Sequence, residues 1–417
     1  MRQKLTCLIL VLVPTSILLA SQAVRGEEPV AQSGKDVRRL TTQAMANNAL
    51  ACDLYRQVSE SEGNVLFSPV SIGSLLGMLE AGAKGETKQE IRTVLRMPVK
   101  NDKHQASLLR MIEKDGEGFQ LKSANRFWGR TGANFEMAFR DEILKKYAAD
   151  LVEVDFSEGV EVRDRINDWV EQKTNGKIQK LLSSPLSSEV QLVLTNAIYF
   201  KGKWEHRFDP KFTRNRPFYV NAQKQISVPM MVRTEKFRFW ESPSVKIVEL
   251  PYAGNAFSAI VVLPVKRDGL RDLEKEMTAA NLRQWLTSLD SAADKGKKEP
   301  PKIMVSLPRF TLSTQMQLEQ VLRAMGLKSA FGEQADLSGI ARERLILSQV
   351  IHKAFMEVDE KGTVAAAVTG GIASSGIPPA FTADHPFIFM IRDQETGAIV
   401  FLARIENPGE LLVDGSK

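Results

Sequence analysis

Apolar residues recur at helical spacing from Val37 to about Glu60, at Leu40, Ala44, Ala51, Leu54 and Val58, which predicts an amphipathic helix. Ser68-Pro69 opens a second helix, because a Ser side chain caps free amides and Pro fits the first helical position. Ile72, Leu75, Leu76 and Leu79 make that helix apolar enough to be buried. Shorter amphipathic patterns follow at 87–96, 102–114, 135–149 and 159–173. From about residue 190 the character changes. Val190–Thr195 and Asn196–Phe200 form a long strand-like run, and others follow at 246–252, 257–263, 303–311, 346–358, 386–392 and 398–405. Helical patterns intervene at 268–290 and 315–326. Helices are thus expected to dominate the first half and strands the second, with no repeat. No linker divides the chain, since the most loop-like stretch, Asp294–Pro301, is short. The pattern predicts one large mixed domain.

The N-terminus follows a different rule. Arg2 and Lys4 precede an apolar run from Leu8 to Ala20, and the small residues Ser21 and Ala23 follow. This is the pattern of a secretory signal cleaved after Ala23, with Gly26 as the alternative. The run is shorter than the ~20 residues needed to cross a bilayer core of ~30 Å, so the chain is expected to be secreted, extracellular and without a membrane anchor. Residues 24–36 are polar and are expected to be disordered. Cleavage would remove Cys7 and leave Cys52, which sits in the first helical pattern and reads as an inert buried thiol. No Asn-x-Ser/Thr sequon is present, so N-glycosylation is not expected.

Composition narrows the class without naming it. With 43% hydrophobic and 25% charged residues among 417, the chain is globular, and the disordered, collagen-like and disulfide-scaffold classes are excluded. Its +6 charge, from 56 Lys+Arg against 50 Asp+Glu, is spread along the chain and implies no nucleic-acid partner. The four histidines, His104, His206, His352 and His385, are scattered. No Gly-x-Ser-x-Gly elbow, His-Glu-x-x-His, Cys-x-x-Cys or phosphate-binding loop is present, so neither catalysis nor a metal is expected.

One segment does not fit an ordinary loop. Between Gly362 and Gly376 there is no charge, no aromatic ring and no large side chain except Ile372, yet both flanks are strand-forming. Loops this long inside a compact domain are usually functional. If the segment entered a sheet, Thr363, Ala365, Ala367, Thr369 and Gly371 would share one face and Val364, Ala366, Val368 and Gly370 the other. Neither set blocks insertion.

With these residues in view the chain resembles the serpin family over nearly its whole length, from about residue 37 to Pro408. The resemblance rests on Asn64–Ile72, Thr195–Trp204, Val248–Tyr252, Ile351–Thr363 and His385–Phe389, in that order. It implies an α+β fold of three β-sheets with about nine helices, an exposed reactive-centre loop over about 361–379, and a tail at 409–417. It also implies a suicide inhibitor. A serine protease attacks a loop bond and forms a covalent acyl-enzyme. The freed loop then inserts into the large sheet and distorts the protease. The molecule would be a monomer, with loop–sheet polymers as its failure mode. Glu360, Gly362, Thr363, Ala365, Ala366 and Ala367 match the hinge of inhibitory members, and Val368 departs from the usual small residue. Adjacent Gly370-Gly371 costs ordering entropy in a strand. Ser68, Ser71, Asn196 and His352 are implied to form a cluster where the large sheet opens. Trp204 and an Arg309–Glu360 pair are implied to lie where the loop first enters. His385 is implied to have a structural role at a strand start. The alternative is a non-inhibitory binding or carrier module.

Counting back from Pro386-Phe387 puts the scissile bond at Ser375-Gly376, and counting from the hinge puts it at Gly376-Ile377; Ala373-Ser374 and Ser374-Ser375 remain as alternatives. No Arg or Lys lies between Gly362 and Arg392, so a trypsin-like pocket would keep an unpaired carboxylate. Elastase-like or subtilisin-like proteases fit better. The resemblance also raises a polyanion such as heparin as a cofactor, through Lys100, Lys103, His104, Arg110 and Lys114 or through Lys295, Lys297, Lys298 and Lys302.

Overall fold

The computed structural model describes residues 34–97, 108, 116, 118–294, 300–360 and 378–410. The signal segment, hinge residues Gly362, Thr363, Ala365, Ala366 and Ala367, and the scissile candidates Ser375, Gly376 and Ile377 lie outside the described residues. So do the helical pattern at 102–107 and 109–114 and every basic residue named above for polyanions except Lys302.

The chain opens with α1 (Gly34–Val58), β1 (Val65–Phe67), α2 (Pro69–Gly82) and α3 (Gly85–Val94), followed by β2 (Phe119–Arg130). Next come α4 (Met137–Tyr147), β3 (Asp150–Val154), α5 (Gly159–Lys173) and β4 (Leu192–Gly202). The middle holds β5 (Arg214–Tyr219), β6 (Gln225–Lys236), β7 (Arg238–Glu241), β8 (Val245–Pro251) and β9 (Phe257–Pro264). Then follow α6 (Leu270–Glu276), α7 (Ala279–Asp294), β10 (Lys302–Pro308), β11 (Phe310–Gln317) and α8 (Glu319–Ala324). The chain ends in β12 (Leu347–Val358), β13 (Ala380–Thr382), β14 (Phe387–Asp393) and β15 (Ile399–Ile405).

The strands form three sheets: six strands ordered β1-β15-β14-β9-β8-β7, four ordered β13-β10-β6-β5, and five ordered β11-β12-β4-β2-β3. Every residue of β9 and β15 is buried, which accounts for their apolar runs, interrupted only by Ser258 and Arg404. α2 is buried on nearly all sides, as its sequence requires, with Ser68 Oγ accepting the Ser71 N–H at its N-terminus. It packs against β15 and β4 and so joins the six-stranded and five-stranded sheets. Cys52 is free and buried on α1, and burial pushes its thiol up to about 12.

Several sequence expectations need correction. β2 and β3 lie in the half expected to be helical. Run 303–311 is two strands, because Arg309 between them turns its N–H to the Pro229 carbonyl. Pattern 268–290 is two helices separated at Met277-Thr278, and pattern 315–326 begins with the end of β11 before α8. Among the described residues there are eight α-helices.

Candidate functional site

In the five-stranded sheet β4 and β12 run parallel, from Leu192 opposite Leu347 to Phe200 opposite Met356. All other pairs in that sheet are antiparallel except β2–β3. A parallel pair is held slightly less firmly per residue, and this one forms a seam in the interior of the sheet.

Three of the four residues expected to close that seam meet there. Asn196 and His352 are direct partners in the register, and His352 Nδ1 lies 2.6 Å from Asn196 Oδ1. Asn196 Nδ2 donates to Asn125 Oδ1 on β2 at 2.7 Å, which orients the amide with its oxygen toward the histidine. On the other side His352 Nε2 accepts the backbone N–H of Ser68 at 3.1 Å. A neutral imidazole protonated at Nδ1 satisfies both contacts. Complete burial holds its pKa well below 6.5, at about 3. The chain Ser68–His352–Asn196–Asn125 thus ties the start of α2 to β12, β4 and β2.

Two details differ from the expected cluster. Ser68 contributes its backbone amide, its hydroxyl being used to cap α2. The buried Ser71 hydroxyl has no partner among the described residues. Asn125 was not foreseen, and neither was its strand. Its one sequence signal is the two-residue spacing of Ser123 and Asn125 on a face that otherwise carries apolar residues.

A strap crosses the same seam. The chain leaving α5 places Asn175 Nδ2 3.1 Å from the Tyr199 hydroxyl on β4. Its Lys177 Nζ lies 3.9 Å from Glu357 on β12, and the Lys180 carbonyl accepts from Lys353 Nζ, also on β12. Both strands of the seam are therefore tethered to one segment.

At the end of β12 the second expected group comes together. Trp204 Nε1 donates to the Asp359 carbonyl at 2.8 Å, and its ring stacks on Tyr252 with centroids 4.5 Å apart and 11° between planes. A β-carbon on Gly202 would sit 2.5 Å from the Tyr252 ring, so glycine is required for that approach. Glu360, with 7% of its side chain exposed, lies 3.4 Å from Arg309 Nη1, whose own side chain is 51% exposed. Arg309 directly precedes β11, the neighbour of β12, so this pair pins the last described residue before the loop to the edge of the sheet.

His385 is buried just before β14, with Nδ1 2.7 Å from Asp384 Oδ1 and Nε2 2.8 Å from the Pro264 carbonyl. It anchors a strand start and takes no part in the seam. Among the described residues no cluster of His, Cys, Asp and Glu has metal-binding geometry. No described helix is long and apolar enough to cross a membrane.

The family model described as "Serpin (serine protease inhibitor)" matches residues 45–408. Serpin B8 of Bos taurus is 40% identical over 376 residues, covering 87% of this chain and 98% of its own. The leukocyte elastase inhibitor of Sus scrofa is 39% identical over 379 residues, with coverage of 87% and 98%. Among solved structures, uncleaved ovalbumin superposes with a TM-score of 0.78 at 30% identity, covering 88% of this chain and 100% of that one. Mouse protein-Z dependent protease inhibitor superposes with a TM-score of 0.80 at 27% identity, covering 89% and 98%. A five-stranded sheet parted by a parallel seam, a buried polar lock across it, and these likenesses along nearly the whole length identify the chain as a member of the serpin family.

Proposed function

We propose that this serpin is a secreted inhibitor that traps a serine protease covalently by suicide cleavage and loop insertion. The observation that carries the reading is the relation between the β4–β12 seam and the sequence that follows β12. Beyond Lys361 the chain continues for fifteen residues, Gly362 to Gly376, without a charge or a ring. Doubled back from the end of β12, such a segment would lie antiparallel to both β12 and β4. One parallel ladder would be replaced by two antiparallel ones, which are the firmer kind. Small, uncharged side chains let that exchange proceed without burying an unpaired charge.

Small residues at the bond, Ser375-Gly376 or Gly376-Ile377, support an elastase-like or subtilisin-like target, as does the likeness to a protein named leukocyte elastase inhibitor. The signal-like N-terminus supports secretion. The test is incubation with an elastase-type protease, followed by denaturing gel and mass analysis. A denaturation-resistant band with a released fragment beginning at Gly376 or Ile377 is expected. Gly370-Gly371 favours a second reading, a binding or carrier module whose insertion stalls. Clean cleavage with no covalent band and no gain in heat stability would select it. Polyanion acceleration is a further part of the proposal, and unchanged inhibition rates with added heparin would remove it.

A further inference from the structure

The four-stranded sheet carries a surface that the trapping mechanism does not use. Just before β5, residues 210–212 form a single 3-10 turn. Asp209 Oδ1 accepts the Lys211 N–H at 2.9 Å, and the Asp209 carbonyl accepts the Phe212 N–H at 2.9 Å. On this braced turn Phe212 is 63% exposed. Lys211, Arg214 and Arg216 surround it in sequence and are exposed, and among the described residues none of the three has a carboxylate partner. Asp209 is the only acidic residue of the segment 209–217, and its Oδ1 is engaged by the turn. An apolar anchor on a braced turn, with cations, arginine above all, next to it in sequence, has the make-up of a protein-binding hot spot.

The strand edge itself offers a partner little backbone to pair with. Tyr219 N–H points outward and donates to the Asp384 carbonyl at 2.8 Å. By alternation the other outward amides of β5 belong to Asn215 and Pro217, and proline has no N–H. With one outward amide left, at Asn215, docking would rest mainly on the side chains.

Register relates this turn to β13, the strand that follows the reactive segment in sequence. Arg214 pairs with Met230 and Met230 with Pro308, while Val232 pairs with Ser306 and Ser306 with Thr382. Arg214 therefore stands three strand spacings and two residues of rise from Thr382, roughly 16 Å, and Phe212 lies two residues before it in the turn. The scissile candidates lie a few residues upstream of Thr382, and a protease domain has a radius on the order of 20 Å. A protease seated on the loop would overhang this turn.

We infer that Phe212, Lys211, Arg214 and Arg216 form a second contact surface for the target protease, engaging an apolar hollow rimmed by carboxylates outside its catalytic cleft. This rests on the inhibitory reading above. A small residue at the scissile bond gives a shallow pocket little to discriminate by, which leaves a role in selectivity for contacts away from the cleft. Cations around the anchor would also steer an acidic protease surface toward the loop.

The test compares wild type, Phe212→Ala and the double variant Arg214→Ala/Arg216→Ala against elastase-like and subtilisin-like proteases of known surface charge. The readouts are the second-order rate of covalent-complex formation, at low and high salt, and the stoichiometry of inhibition. Wild type should trap acidic-surfaced proteases faster, by about tenfold or more at low salt. Both variants should lose that advantage at unchanged stoichiometry, and the arginine variant should also lose its salt dependence. A synthetic loop peptide, which lacks the turn, should be cleaved without regard to surface charge. Complexes that form at wild-type rates in both variants would overturn the inference and leave the inhibitory reading intact. Absence of any covalent complex in wild type would overturn both.

Discussion

His352 and Asn196 face each other across the parallel seam of the five-stranded sheet, 2.6 Å apart and paired in register. The contact requires a neutral histidine, because Nε2 accepts the Ser68 amide while Nδ1 carries the proton.

Acid should therefore open the seam. The folded-state pKa of His352, about 3, lies below the 6.5 of the free side chain, so its stabilising effect is complete above about pH 6.5 and is lost as pH falls toward 3. Within that window the native state should lose stability at about 1.4 kcal/mol per pH unit from this group alone. Thermal midpoints measured against pH, for wild type and His352→Gln, check this. The variant should show a flatter profile between pH 6 and 4, and equal slopes would remove the histidine as the source.

Glu360 should restrain the end of β12. Its partner Arg309 is half exposed, so the pair itself contributes less than about 1 kcal/mol. Glu360→Lys adds like charge beside Arg309 and leaves a cation in a buried position, a larger penalty. Faster polymerisation than wild type on mild heating is expected on native gels, with Glu360→Gln intermediate. An unchanged rate for Glu360→Lys would separate this pair from sheet opening.

The hinge should tolerate no charge on the face that turns inward. Alternation groups Thr363 with the small Ala365, Ala367 and Gly371, the set suited to the inward face because the other carries Val364 and Val368. Thr363→Arg should convert the molecule from inhibitor to substrate, with cleavage retained, the covalent band lost and no rise in heat stability after cleavage. Persistence of the band at wild-type yield would contradict insertion from this residue onward.

Cys52 should be silent in the folded protein. Burial raises its thiol to about 12, leaving almost no thiolate at neutral pH. Iodoacetamide labelling followed by mass analysis should show reaction only after denaturation.

How far the sequence could be read depended on what each residue was doing. Pro69 behind Ser68 disclosed the start of α2, and apolar runs disclosed β9 and β15, because those residues act locally or are buried on both sides. β2 stayed hidden. Its Ser123, Asn125 and Arg126 interrupt the apolar pattern because they serve neighbours distant in sequence: Asn196, and Asp150, whose carboxylate Arg126 engages in a two-pronged ion pair. β5 was missed for the opposite reason, since its charged residues Arg214 and Arg216 face water at the edge of a small sheet. The lock residues Asn196 and His352 were placed by family resemblance. That resemblance could not foretell that Ser68 offers its amide while its hydroxyl is occupied in the helix cap.

The seam also has a meaning in time. Asn196 and His352 are 156 residues apart along the chain, so their contact closes a long loop. Such contacts form late, and during synthesis β4 is complete long before β12 has been made. The newborn molecule must therefore pass through a stage in which the large sheet lacks one half. At that stage any compatible strand, its own loop or a neighbour's, competes with β12 for the empty place beside β4. Correct folding of this protein is a race that β12 has to win.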